Sequence, residues 1–288
     1  MTSNIILFTF RNMKVFFRDR MAVLSSMFAA IIVIALYFLF LGDMLTKELS
    51  ETVPGARAIV DSWAMAGVMA VTPVTAALGA LGIMIQDKIN GAIRDITVSP
   101  MKRYEIVSGY VLSTFVITVL LSFLALAFAE AYIVLNGGSF LTGMQFVKVV
   151  GLVLLSSVSA SAMMLLVALF ITSNNVYSGV STIVGTIIGF ITGVFIPIGM
   201  LPDVMGTVVK MVPASHSATL FRQVMMETPM EAMAGMPPEE ILEFELSMGV
   251  RFEWGDGMIT PETSLIILAA VAAVFFMLAV LKLSTKTK

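Results

Sequence analysis

Residues 63–85 read WAMAGVMAVTPVTAALGALGIMI, and residues 86–103 read QDKINGAIRDITVSPMKR. The first stretch carries no charge, whereas the second holds Asp87, Lys88, Arg94, Asp95, Lys102 and Arg103. About 20 apolar residues in a helix match the hydrocarbon thickness of a bilayer. The junction at Gln86 therefore reads as the point where a membrane-crossing helix meets water. Backbone groups in lipid must be satisfied within the segment, so the run is a helix. It has no period-2 alternation, which argues against a strand of an outer-membrane barrel.

The same pattern recurs along the chain. Apolar runs of crossing length occupy 21–41, 63–85, 107–135, 146–171, 180–200 and 263–283. The 288 residues are 58% hydrophobic and 12% charged, with a mean hydropathy of +0.98. A soluble domain carries about 25% charge, so this chain needs lipid as its solvent. The expected fold is an all-α polytopic membrane protein: one transmembrane domain over 1–288, six spans, and a long external segment at 201–262 before the last span. The spans show no visible internal repeat.

Basic residues orient the bundle. Arg11, Lys14, Arg18 and Arg20 precede the first span; Lys88, Arg94, Lys102 and Arg103 lie between the second and third; Lys282, Lys286 and Lys288 follow the last. These are eleven of the 17 Lys and Arg residues. The short uncharged connection around Ser173–Ser178 falls on the same side. The other side holds most of the acids, including Glu239, Glu240, Glu243, Glu245, Glu253 and Asp256. Both termini are accordingly expected in the cytoplasm. Residues 3–18 mix Ile5, Ile6, Phe8, Phe10, Phe16 and Phe17 with Arg11, Lys14 and Arg18. That mixture suits an amphipathic helix in the inner interface, or a plain extension of the first span. No cleavable signal pattern is seen there.

Composition excludes several chemistries. There is no Cys and one His, so thiolate or His-cluster metal sites and disulfides are not expected within one chain. No G-x-x-x-x-G-K-[ST] loop is present to cradle phosphates. No nucleophile–base pair is visible, and no basic surface points to nucleic acid.

The charged connection is the segment with the most specific reading. Asn90 or Asp87 is positioned to cap a short helix that runs to about Val98, and Ser99-Pro100 ends it because a residue before Pro avoids the helical region. Ile89, Ala92, Ile93, Ile96 and Val98 interleave with Arg94 and Asp95. Such an element either docks in a groove of another protein or is an ordinary capped turn.

The stretch from Asp87 to Arg103 resembles the E/D-K-x-x-G-x-x-R/E-x-x-x-x-S-P-x-x-R segment of type-2 ATP-binding-cassette exporter permeases. A second stretch agrees: Gly193-Val-Phe-Ile-Pro197-Ile-Gly199-Met-Leu-Pro202, then Val212-Pro213 and Arg222. The resemblance covers nearly the whole chain. It implies a permease subunit without an ATP site, paired with a second copy of itself or a paralogous permease. ATP and Mg would be bound by a separate cytosolic ATPase subunit, and the expected location is a prokaryotic plasma (inner) membrane. It also implies that Asn90, Gly91, Ile93, Arg94, Asp95, Ile96, Ser99 and Pro100 form the coupling helix that contacts the ATPase. The exported substrate would be hydrophobic or amphipathic: a drug, a lipid-linked molecule or a peptide. The chain departs from the family pattern in about 35 extra external residues, Thr228–Pro261, read as a cap over the exit path or as a solvated decoration.

Other residues carry alternative readings. Glu130, the one acid inside an expected span, is either paired at the outer interface or lines the pathway. Gly185, Gly189 and Gly193 form a small-residue ridge that, with Phe195 and Pro197, is assigned to the translocation path or dimer interface, or else packs within one subunit. Ser156, Ser157, Ser159 and Ser161 read as a close-packing stretch. His216 reads as a polar tip at the interface or as a proton switch. Residues 201–227 are too apolar for a free loop. They are expected to form short helices re-entering the outer leaflet, broken near Pro213, with Arg222 at the headgroups. An ATP-independent secondary transporter or channel is the rival reading, and a membrane sensor or assembly factor a second.

Overall fold

A computed structural model describes residues 2–50, 53, 55–98, 101–255 and 257–285. Helix α1 (Thr2–Arg18) leads to α2 (Arg20–Leu36), which continues through a π-helical turn (Tyr37–Leu41) into α3 (Gly42–Ser50). Then follow α4 (Ala56–Ile89), α5 (Ala92–Val98), α6 (Arg103–Leu135), α7 (Gly143–Phe170) and α8 (Asn174–Ile191). After a 3-10 turn (Ile198–Met200) come α9 (Asp203–Met211), α10 (Pro213–Met225), α11 (Glu227–Met230) and α12 (Pro238–Ser247). A two-stranded antiparallel hairpin, β1 (Phe252–Trp254) and β2 (Gly257–Ile259), precedes the last helix, α13 (Pro261–Thr285).

Local chemistry sets the boundaries. Asp19 breaks α1 from α2, and its carboxylate caps α2 by accepting from the Met21 and Ala22 amides at 3.0 and 3.1 Å. The Glu105 carboxylate accepts from the Lys102 amide at the start of α6. Thr142 and Gln145 form a reciprocal capping box on α7. Ser173 caps α8, so the connection from α7 is only three residues long.

Among the described residues, five helical segments are long and apolar enough to cross a membrane: Arg20–Ser50, Ala56–Ile89, Tyr104–Leu135, Gly143–Phe170 and Pro261–Lys282. They coincide with five of the six expected runs. The expected fifth span, 180–200, differs. Its helix, α8, begins earlier at Asn174 and ends at Ile191, and it is not among the five. The backbone turns left-handed at Gly193 (φ 68°), a conformation that only Gly adopts cheaply, and the 3-10 turn follows. The apolar character of 192–200 is thus spent on a folded turn rather than on helix.

Helix α4 is the axis of the bundle. Every residue from Ile59 to Leu78 is buried, and the helix packs against α2, α6, α7, α8 and α10. The faces of α2, α6, α8 and α13 turned away from it expose large apolar side chains such as Phe28, Phe128, Ile183 and Phe276, as lipid-facing helices do. The segment 201–227 does form two short helices broken at Val212-Pro213. Helix α10 is not superficial: it wedges among α4, α7 and α13 with Ala214 to Arg222 buried, and Ser217 meets Ser156 of α7 at 2.7 Å.

Candidate functional site

Basic residues far apart in the chain meet at one pole: Arg11 of α1 bonds to Asp87, Lys88 to the Ile171 carbonyl, and Lys282 of α13 lies over the Phe170 ring. Helix α4 emerges there, ends at Ile89 and is capped by Asn90, whose amide bonds to the Gln86 carbonyl. Asn90 therefore closes α4 instead of opening α5. Gly91, at φ 80°, turns the backbone left-handed, and α5 starts one residue later. Its Arg94 and Asp95 side chains are exposed, and Val98 is 85% exposed. Ile93 is half-buried, while Ile96 packs against the bundle core and so anchors α5 to its own chain. Ser99 and Pro100 lie outside the described residues. The large apolar side chain that α5 presents outward is Val98, which the sequence pattern did not single out as a contact.

The root of α5 is clamped on several sides. Asp87 is not a cap for α5. It accepts from Arg11 of α1 at 2.5 and 3.1 Å and from the Tyr110 hydroxyl of α6 at 2.7 Å. The Asp87 carboxylate holds the Arg11 guanidinium above its ordinary pKa, against the opposing effect of partial burial. Lys88 donates to the Ile171 carbonyl at 2.6 Å, closing the C-terminal end of α7. Gln86 donates to Asn174 at the start of α8 at 2.9 Å. Phe8 of α1 meets Tyr110 edge-on at 5.0 Å, and Asn12 donates to Ser113 at 3.2 Å, seating α1 along α6. Three consecutive positions at one helix end, 86–88, thus hold α1, α6, α7 and α8 to the element that bears α5. Residue spacing showed Asp87 and Lys88 as charges; their partners lie 76 and 83 residues away and leave no local signal.

The opposite, acidic pole is closed by a second set of contacts. Arg57 links Asp61, Asp43 and Asn136, tying α4 to α3 and α6. Arg222, expected at the headgroups, is instead fully buried. Its guanidinium lies over the Trp63 ring at 4.7 Å and donates to the carbonyls of Thr192 at 2.9 Å and Gly193 at 3.0 Å, with Gly249 at 3.4 Å. An Arg side chain snorkels only when its carbonyl partners are not closer than water; here the turn after α8 supplies them. Trp63 also donates to the Met248 carbonyl, and the Tyr37 hydroxyl to that of Val194.

The remaining site residues are dispersed. Glu130 is partly buried and accepts from the Leu141 amide at 3.1 Å, bracing the α6–α7 corner. Gly189 is covered by the Phe195 ring, which meets Phe190 at 5.2 Å, and Gly193 has left the helix. Nothing packs within 4 Å of where a Gly185 side chain would start, so on α8 the ridge is continuous only in sequence. Pro197 is buried beside the turn. His216 is buried. Its Nε2 faces the Lys210 carbonyl at 2.9 Å and so donates, leaving Nδ1 to accept from Ser264 at 3.1 Å.

No curated protein matches the chain. The model of the ABC-2 family transporter protein matches residues 46–281, which include α4, α5, the clamp at 86–88 and the turn that holds Arg222. With that match over most of its length, the chain belongs to the ABC-2 family of membrane transporters.

Proposed function

We propose that the chain is the permease subunit of an exporter whose ATP is hydrolysed by a separate cytosolic ATP-binding-cassette subunit. Two permeases, identical or paralogous, would work with two such ATPases in a prokaryotic plasma membrane. The basic pole and both termini would face the cytoplasm, and α8 with its following turn would serve as the remaining crossing. ATP and Mg would stay on the partner. The observation that carries this reading is α5: a short helix with Arg94, Asp95 and Val98 exposed, set at the basic pole on the most enclosed helix of the bundle. Force on α5 enters α4 at the positions that also hold α1, α6, α7 and α8, so a rigid push there reaches four other helices at once. The exposed apolar faces of α2 and α8, with Met21, Phe28, Ile183, Ile187 and Phe190, favour a hydrophobic or amphipathic cargo, with Gly185, Gly189, Gly193, Phe195, Pro197 and Glu130 near the path or the subunit interface.

The test is charge reversal on the exposed positions, Arg94→Glu with Asp95→Lys. Neither side chain is buried, so the variant should insert and melt like the parent. It should co-purify poorly with its cytosolic ATP-binding-cassette subunit and lose substrate-stimulated ATP hydrolysis. If the double variant retains both, α5 is a turn and the coupling role fails.

A further inference from the structure

The acidic pole carries an apolar surface that the transport reading leaves unused. Its position is fixed by a chain of contacts. Ser264, in the first turn of α13, bonds to His216, and the His216 ring meets Phe252 of β1 edge-on at 5.7 Å. Phe252 is buried against Ile198 and Val209, with Leu201 and Ile259 alongside. The hairpin and α9 are therefore joined to the first turn of α13, the start of a helix long and apolar enough to cross a membrane.

Both elements expose apolar side chains. Alternate residues of a strand share a face, and the register pairs Phe252 with Ile259 and Trp254 with Gly257. Trp254 thus lies on the Phe252 face, about 7 Å further along at roughly 3.3 Å per residue, past the cover of α9 and 47% exposed. On α9, Val209 is buried under the hairpin, while Val204, Met205, Val208 and Met211 are exposed, Val204 by 76%. At about 100° per residue these four occupy one flank of the helix. The charge of Lys210 stands in the last turn of α9.

We propose that α9 and the hairpin together form an interfacial anchor whose exposed apolar flank and Trp254 are immersed in the headgroup–acyl boundary of the adjacent leaflet, the outer one in the orientation above. Its occupant is phospholipid. Trp sits preferentially at that depth because its ring is apolar and its N–H polar, and a helix with one apolar flank lies in the plane of the interface. Continuity supports lipid over a protein partner, since the surface is joined to the first turn of a helix whose own large residues, such as Ile266, are exposed. The external insertion is then held down on the membrane instead of standing free in solution.

The chain has two tryptophans and no cysteine, which makes the test direct. The full chain is reconstituted in phosphatidylcholine–phosphatidylglycerol vesicles, with phosphatidylcholine brominated near the carbonyl end of its acyl chains as one quencher and iodide on both faces as the other. Trp63 is fully buried, and Trp254→Phe isolates its share of the emission. The Trp254 share should be lost to the brominated lipid and spared by iodide. Quenching by iodide alone, or by neither agent as under a covering protein, overturns the proposal. Val208→Cys carrying a nitroxide should collide with oxygen in preference to a water-soluble nickel chelate, and Glu239→Cys on α12 should show the reverse. Identical behaviour at the two positions also overturns it.

Discussion

Replacing Arg222 by Met removes a fully buried guanidinium and leaves its partners behind. Two carbonyls, of Thr192 and Gly193, lose donors at 2.9 and 3.0 Å. Each buried acceptor left unpaired costs about 1–3 kcal/mol. The stack on Trp63, at 4.7 Å, contributes about 2 kcal/mol when desolvated. Against these losses stands the relief of no longer holding a cation away from water, worth several kcal/mol. The balance is a loss of about 3 kcal/mol, or roughly 6–12 °C in melting midpoint for a chain of this size. Arg222→Lys keeps the charge but not the planar fork that reaches two carbonyls, so it should recover only part. The assay is thermal unfolding of the purified chain in detergent, with hydrogen exchange read at 193–195 and 249–250. Exchange should rise at both segments, because Arg222 is what joins the turn after α8 to Gly249. A midpoint within about 2 °C of the parent, with protection unchanged, would falsify the reasoning: the carbonyls would then have found other donors.

Two further outcomes are expected. Gly91→Ala places a side chain at φ 80° where nothing lies within 4 Å, so the cost is backbone strain alone, about 1–2 kcal/mol. It should re-aim α5 and weaken ATPase co-purification, with Gly91→Asn recovering it, since Asn tolerates this region; equal binding by the Ala variant refutes the hinge. At the acidic pole, burial raises the Glu245 pKa while Arg251, at 2.8 Å, opposes the rise. A folded carboxyl with a raised pKa binds its proton more tightly than the unfolded one. Its stabilisation is therefore complete below the ordinary value and is lost as pH rises through the raised one. Protection of α12, corrected for intrinsic exchange, should fall across that window, and Glu245→Gln should flatten the profile; a variant with the parent's pH dependence rules this out.

The spans were legible because length and apolar composition decide membrane crossing. The exception, α8, shows the limit of that signal. Asn174-Asn175 looks like a loop and Ile196-Pro197-Ile198 like a span, yet the helix occupies the first and abandons the second. What stops it is a left-handed glycine, and hydropathy does not register backbone conformation. Arg222 was misplaced for a related reason. Its partners are main-chain carbonyls, which every residue possesses, so no side chain in the sequence advertises them. Asp87 and Lys88 were seen as charges at a helix end, and their identity as a clamp depends on Arg11, Tyr110 and Ile171, far away in the chain. The segment 87–103 stood out by its motif, but which side chains of α5 face outward depends on how the helix leans on the bundle: Ile96 packs against the core and Val98 stands exposed.

The enclosure of α4 bears on how the protein is made. In the finished fold this helix touches lipid least, and among the five crossing segments it has the lowest mean hydropathy, 2.0 against 2.3 to 2.9. During synthesis, however, α6, α7, α8 and α10 are all later in the chain. The nascent α4 must partition from the translocation channel into lipid on its own hydropathy, with only α1, α2 and α3 beside it, before the helices that will shield it exist. Its composition answers to two solvents in succession. A polar substitution at a position such as Ala66 or Ala76 would therefore act first at insertion, as an inverted or skipped segment in the newborn chain, before any defect of packing had arisen.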